Sequence, residues 1–195
     1  MINLVTATGK LSTLALASTL FLAGCAQIPL GAPTPKADVV EKARASQLAP
    51  ITLGSFKADP KLNADKDRGI SVRSNTVSSP IEGSFALYLR ETLMADLKAS
   101  GLYDASSSAT LSGFLTESSL DVGMDTGQAN LGARFVLTNG SKTLYDKELK
   151  TDATWPSSFI GAVAIPEGIR QYTDLYHKLV SQLFEDPDYR KASTK

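Results

Sequence analysis

The chain has 195 residues, with 20 lysines and arginines against 20 aspartates and glutamates. This zero net balance gives no electrostatic footprint for nucleic acid. A single cysteine and a single histidine exclude a disulfide framework and leave too few ligands for an ordinary zinc site.

The chain opens as an export signal does. Met1 to Lys10 carries one positive side chain, Lys10, and Leu11 to Leu22 carries no charge. About a dozen apolar residues match the core of a signal peptide and are too few to span ~30 Å of hydrocarbon. Small residues Ala23 and Gly24 then lead into Cys25, the only cysteine. Leu22-Ala23-Gly24-Cys25 resembles, position by position, the lipobox of bacterial lipoproteins. The resemblance implies that signal peptidase II recognises Leu22, Ala23 and Gly24 and cuts before Cys25. It further implies a diacylglyceryl group on the Cys25 sulfur and an acylated amino group, so that fatty chains bind the mature protein to a membrane. Each buried methylene contributes about 0.8 kcal/mol, so two or three chains hold effectively permanently. Ala26, where an aspartate would retain such proteins in the inner membrane, implies sorting to the outer membrane in a cell with two membranes; the expected address is its periplasmic face.

The mature part begins at Cys25, and its length suits one domain plus tails. Residues 25–36 hold three prolines and one glycine and read as an extended tether. At about 3 Å per residue it would lift the domain roughly 30 Å from the bilayer. Residues 37–46 suit a short helix, and 51–56 alternate as a strand. Residues 57–68 are charged, carry Asp59-Pro60 and read as a loop. Residues 69–77 read as a second strand, with Ile70 and Val72 on one side and Arg73 outside the pattern.

Ser84 is placed to cap a helix, although Leu87 stands where a capping box has Glu or Gln. Phe85, Leu89, Leu93 and Leu97 form an apolar stripe, with Arg90, Glu91 and Lys98 opposite. This predicts a helix of about 16 residues ending at Gly101. Three strands follow, at 110–122, 129–138 and 143–155, with Asn139-Gly140 as a hairpin turn. In the last of them Tyr145, Leu149, Ala153 and Trp155 share one face; Asp146, Glu148, Lys150 and Asp152 share the other. A final helix is expected from Pro166 to Phe184, striped by Ile169, Tyr172, Tyr176, Leu179 and Leu183. Asp186-Pro187 would stop it, leaving 188–195 as a frayed polar tail.

The fold class is α+β. The expected architecture is a two-layer sandwich: a mainly antiparallel sheet of about five strands, with two amphipathic helices packed on one face. The expected organisation is a signal peptide at 1–24, a lipidated tether at 25–36, one domain at 37–187 and a tail at 188–195. The element order is similar to that of small proteobacterial lipoproteins, including auxiliary components of ABC-type lipid or solvent transport systems. That similarity implies binding of another envelope component or carriage of an apolar ligand.

Chemistry is hard to place. A Ser-His-Asp triad would need His177, which reads more simply as a partly exposed helix residue. No G-x-S-x-G or phosphate-cradling glycine loop occurs. Asp121 and Asp125 lack the terminal glutamate of a calcium loop and read as hairpin residues. The expectation is a non-enzyme without metal or cofactor. The one stretch that invites a binding role is 155–165, apolar and free of charge. It either fills the core at the end of the sheet or offers Trp155, Phe159 and Ile160 to an envelope partner.

Overall fold

The computed structural model describes residues 26–194. Leu22, Ala23, Gly24 and Cys25 lie outside them. Strands β2 (Thr52–Ala58), β5 (Ala109–Val122), β6 (Thr126–Asn139) and β7 (Lys142–Pro156) form a four-stranded sheet in the order β2-β5-β6-β7. The last three are an antiparallel meander, whereas β2 runs parallel to β5. A parallel pair needs a crossover, and helix α3 (Phe85–Ser100) lies within it.

Side-chain alternation decides which face is covered. Ala129, Leu131, Ala133, Phe135 and Leu137 of β6 are wholly buried, while Asp146, Glu148, Lys150 and Asp152 of β7 are exposed. One face is therefore packed and one wet. Helix α4 (Gly161–Glu185) covers β5, β6 and β7, and α3 covers β2 and β5. Helix α1 (Ala37–Ala45) lies against α3 and α4 and buries Val39, Val40 and Ala43. The space between helices and sheet is filled by side chains such as Phe85, Leu89, Tyr172 and Leu179, all fully buried.

The helix α3 begins and ends where the sequence places it. Ser84 Oγ accepts the Leu87 N–H at 3.2 Å, and Gly101 takes a left-handed φ of 78°. The missing capping-box carboxylate comes from elsewhere in the chain. Asp67, in the short helix α2 (Asp65–Arg68), is buried; its Oδ1 accepts the Ala86 N–H at 2.8 Å and its Oδ2 the Ser84 hydroxyl at 2.9 Å. A capping carboxylate at a helix N-terminus satisfies free N–H groups and meets the positive end of the dipole.

The single sheet of about five strands is replaced by sheets of four and three. The smaller contains β1 (Ala26–Pro29), β3 (Ile70–Val72) and β4 (Asn75–Ser78), in the order β1-β4-β3. Residues 69–77 are thus two strands of a hairpin, not one strand. Arg73, the residue that broke the alternation, opens its turn with φ 53°. The Asn139-Gly140 turn is displaced by one residue. Asn139 pairs with Lys142, so Gly140 and Ser141 form the turn. Only Gly140 has positive φ, the pattern of a type II′ hairpin.

The expected tether is folded onto the domain. Residues 26–29 pair in parallel with β4 as an edge strand, Leu30 is buried, and its N–H donates to Ser78 O at 2.9 Å. Lys36, at the domain end of the expected tether, leads into α1 with its backbone N–H on Asp96 Oδ1 at 2.9 Å. Proline is compatible with an edge strand, so a proline-rich segment can join a sheet whose partner strand is remote in sequence.

The expected tail is also folded. Asp186 stops α4 and caps α5 (Pro187–Ser193), accepting the Asp188 and Tyr189 N–H groups, with Pro187 as the first helical residue. Tyr189 is buried and meets Tyr145 edge to face, with ring centroids 5.3 Å apart. Helix α4 starts at Gly161, not Pro166, because an early proline removes one intrahelical bond without ending the helix.

Candidate interaction surface

The apolar stretch 155–165 divides at its serines. Trp155, offered above as a surface residue, is only 5% exposed. It pairs across the sheet with Gly127, and its indole lies over that glycine; a Cβ at Gly127 would sit 2.3 Å from the ring. Gly168 of α4 closes the other side, where a Cβ would come 3.6 Å from the indole and 2.5 Å from Val122. Trp155 is therefore a core residue between sheet and helix, and its proposed surface role is corrected. Phe159 and Ile160 have the opposite fate, at 76% and 60% exposed. Val163, one turn into α4, is 58% exposed, and Met124, in the β5–β6 hairpin, is 64% exposed.

These four are the large apolar residues that stand out in solvent among the described residues. The backbone beside Met124 and Ile160 is anchored by Arg73. Its guanidinium donates to the carbonyls of Val122 (3.1 Å), Gly123 (3.0 Å), Ser158 (2.7 Å) and Phe159 (3.0 Å). The Ser157 N–H adds a bond to Asp125 O at 2.8 Å, and Ser158 Oγ accepts the Ile160 N–H at 3.1 Å. One arginine thus ties the β3–β4 turn, the β5–β6 hairpin and the β7–α4 connection into one end of the molecule. A non-glycine residue at positive φ costs of order 1–3 kcal/mol, which four charge-assisted bonds offset. Just beyond the patch, Arg170 and Gln171 bind Glu167 and hold its carboxyl down to about 2.

The other polar groups of interest are structural in geometry. His177 is buried, not partly exposed, with Nδ1 facing Asp96 Oδ2 at 3.6 Å, beyond a real hydrogen bond. Ser181, one turn on, bonds to Lys42 at 3.0 Å and Glu185 at 3.3 Å instead of the histidine, so no activated hydroxyl is assembled there. Ser118, Tyr172 and Tyr176 form a buried hydroxyl chain at 2.8 and 2.9 Å, and burial pushes the Tyr172 and Tyr176 phenols up. They are held neutral inside the core. Asp125 lies in the β5–β6 turn as expected, whereas Asp121, expected there too, is a strand residue of β5 paired with Gln128. No group of three or more His, Cys, Asp or Glu side chains among the described residues could hold a metal ion. No described helix is long and apolar enough to cross a membrane.

The chain shares its fold with a Xanthomonas campestris protein of family DUF330. The two superpose with a TM-score of 0.52 at 14% identity, over 82% of this chain and 95% of the other. A candidate lipoprotein from Caulobacter crescentus gives a TM-score of 0.44 at 12% identity, over 80% and 96% of the two chains. A minor lipoprotein from Acinetobacter baumannii gives 0.36 at 12% identity, over 74% and 93%. No protein-family model matches the chain, and no curated protein resembles it in sequence.

Two members of the surface were not legible beforehand. Met124 sits in a hairpin that carried only turn signals. Arg73 was visible solely as a break in alternation, and nothing local shows that it reaches residues 49 to 86 positions away.

Proposed function

We propose that this chain is a lipid-anchored lipoprotein on the periplasmic face of a bacterial outer membrane, working by binding and not by catalysis. The observation that carries this reading is Leu22-Ala23-Gly24-Cys25 at the end of an uncharged run, directly followed by a folded domain that starts at residue 26. Acyl chains on Cys25 supply the attachment. The exposed cluster of Met124, Phe159, Ile160 and Val163 supplies the binding surface for another envelope component.

The arrangement of the core favours a surface over an internal ligand chamber. An apolar cargo between helices and sheet would have to displace fully buried side chains such as Leu93, Phe135 and Tyr176. Strand addition at β7 is disfavoured as well, because Lys142, Asp146, Lys147, Glu148, Lys150 and Asp152 line that edge strand with charge. An auxiliary role in an ABC-type transport system, as the order of elements implies, would therefore run through contact and not through cargo.

Expression of Cys25→Ser tests the reading. The variant is expected to accumulate as an uncleaved precursor without acyl mass. Normal cleavage and membrane attachment of that variant would overturn the anchor. Turnover of any substrate abolished by one Ser or Asp substitution would overturn the non-catalytic reading.

A further inference from the structure

We propose that Met124, Phe159, Ile160 and Val163 rest in the bilayer interface beside the acyl chains of Cys25, so that the domain lies on the membrane instead of standing off it. This rests on the lipid-anchor reading above and names the component that its surface meets. Ala26 is paired with Asn75, Asn75 is paired on its other side with Val72, and Arg73 follows Val72. Neighbouring strands lie ~4.8 Å apart, so Ala26 is about two strand spacings from the β3–β4 turn. From that turn the Arg73 side chain reaches the carbonyls of Gly123 and Phe159, the neighbours of Met124 and Ile160. One peptide bond, with its Cα atoms ~3.8 Å apart, joins Ala26 to Cys25. Ala26, one bond after the lipobox cysteine, and the exposed apolar cluster therefore occupy the same end of the molecule.

No slack separates them. The segment expected to act as a spacer is spent in β1, in the buried Leu30 and in the bond from Lys36 to Asp96. Once acyl chains enter the bilayer, the start of β1 is held at headgroup level, and the cluster beside it meets the interface before any protein partner can. Phenylalanine and branched apolar side chains partition favourably into that zone. The charges nearby do not add up to a basic patch: Asp121 and Asp125 are exposed on either side of Met124, and the one cation beside the cluster, Arg73, is spent on four backbone carbonyls. Attraction to anionic lipid therefore does not drive the contact; burial of apolar surface does.

The test uses the full lipidated chain in vesicles of phosphatidylethanolamine and phosphatidylglycerol. Acylation blocks the only natural thiol, so a thiol introduced by substitution can be labelled alone. A fluorophore is placed through Val163→Cys in the cluster, or through Ser141→Cys at the opposite end of β6. That strand has 14 residues, which at ~3.3 Å each puts the two labels on the order of 45 Å apart. Lipids bearing a headgroup-level nitroxide should quench the Val163→Cys label several-fold more than the Ser141→Cys label. The quenching should persist at ~1 M salt, where the Debye length is about 3 Å. Adding Phe159→Asp and Ile160→Asp should weaken it while the protein still floats with the vesicles.

Equal, weak quenching of both labels in protein that floats would overturn the bilayer contact and leave the anchor standing. Protection of the Val163→Cys label in native outer membrane, but not in pure lipid, would assign the surface to a protein and overturn it too. Protein that does not float would overturn the anchor itself, and this inference with it.

Discussion

Trp155 and Phe159 lie four residues apart in one apolar run, yet one is core and the other stands in solvent. Composition does not separate them. What separates them is the backbone on which each sits. Trp155 ends a strand whose cross-strand partner is Gly127, so its ring has a floor without a side chain to compete for the space. Phe159 follows the strand, in a connection whose carbonyls are claimed by Arg73. Fixing those carbonyls toward Arg73 leaves the side chains of Phe159 and Ile160 nothing to pack against. Apolar character alone therefore predicts neither burial nor function; the hydrogen-bonded frame decides which half of the run is available to a partner.

The largest expected effect lies on the buried side. Trp155→Ala should cost about 3–5 kcal/mol of unfolding free energy, because the space between Gly127 and Gly168 cannot collapse around an alanine. Urea unfolding followed by far-ultraviolet dichroism measures it, and a loss below ~1 kcal/mol would break the distinction between the halves. The frame itself comes next. Arg73→Ala removes four bonds from a charged donor and should cost about 1–3 kcal/mol. Arg73→Gly removes the same bonds but relieves the positive φ, and should recover roughly 1 kcal/mol of that loss. In both variants amide exchange at Phe159 and Ile160 should accelerate while the β6 amides stay protected. Equal stabilities for the two variants would mean that the turn carries no backbone strain.

The legible parts of this fold are those whose information is local. The α3 helix is marked by a stripe of four leucine and phenylalanine positions, a serine cap and a terminal glycine, and it forms where they say. The meander is written in alternation: β6 and β7 each sort their residues to two faces. The misread parts all depend on a distant partner. Residues 26–29 are extended whether they form a tether or a strand, and only pairing with Asn75–Ser78 decides. The residues from 188 onward look like a polar tail until Tyr189 meets Tyr145 and Lys147 reaches Asp186 and Asp188. Asp67 looks like one charge in a loop, yet it completes a cap begun at Ser84. The surface was half legible for the same reason. Phe159 and Ile160 were visible as apolar residues, but the arginine that presents them was not.

The exposed side should respond far less in stability than the buried one. Phe159→Asp should alter unfolding free energy by no more than about 0.5 kcal/mol, the usual range for a surface change, while removing the surface contact. Loss of stability on the scale of Trp155→Ala would erase the contrast between the two residues. The single tryptophan is a built-in reporter here, since an unchanged emission maximum shows that the core half is undisturbed.

The smallest effect concerns how the exposed turn of α4 is joined to its packed continuation. Glu167 lies between Val163 and Tyr172 and is bound by Arg170 and Gln171, which hold its carboxyl down to about 2. A depressed folded value means that the native state binds the proton less readily than the unfolded chain. Its contribution is therefore fully present above the ordinary glutamate value of about 4.5 and fades as the pH falls from there through about 2. Glu167→Gln removes the titrating group. The difference in urea midpoint between wild type and this variant should be constant above pH ~5 and shrink toward zero near pH ~2. A difference that persists unchanged into acid would show that the side chain acts through packing and not through its charge.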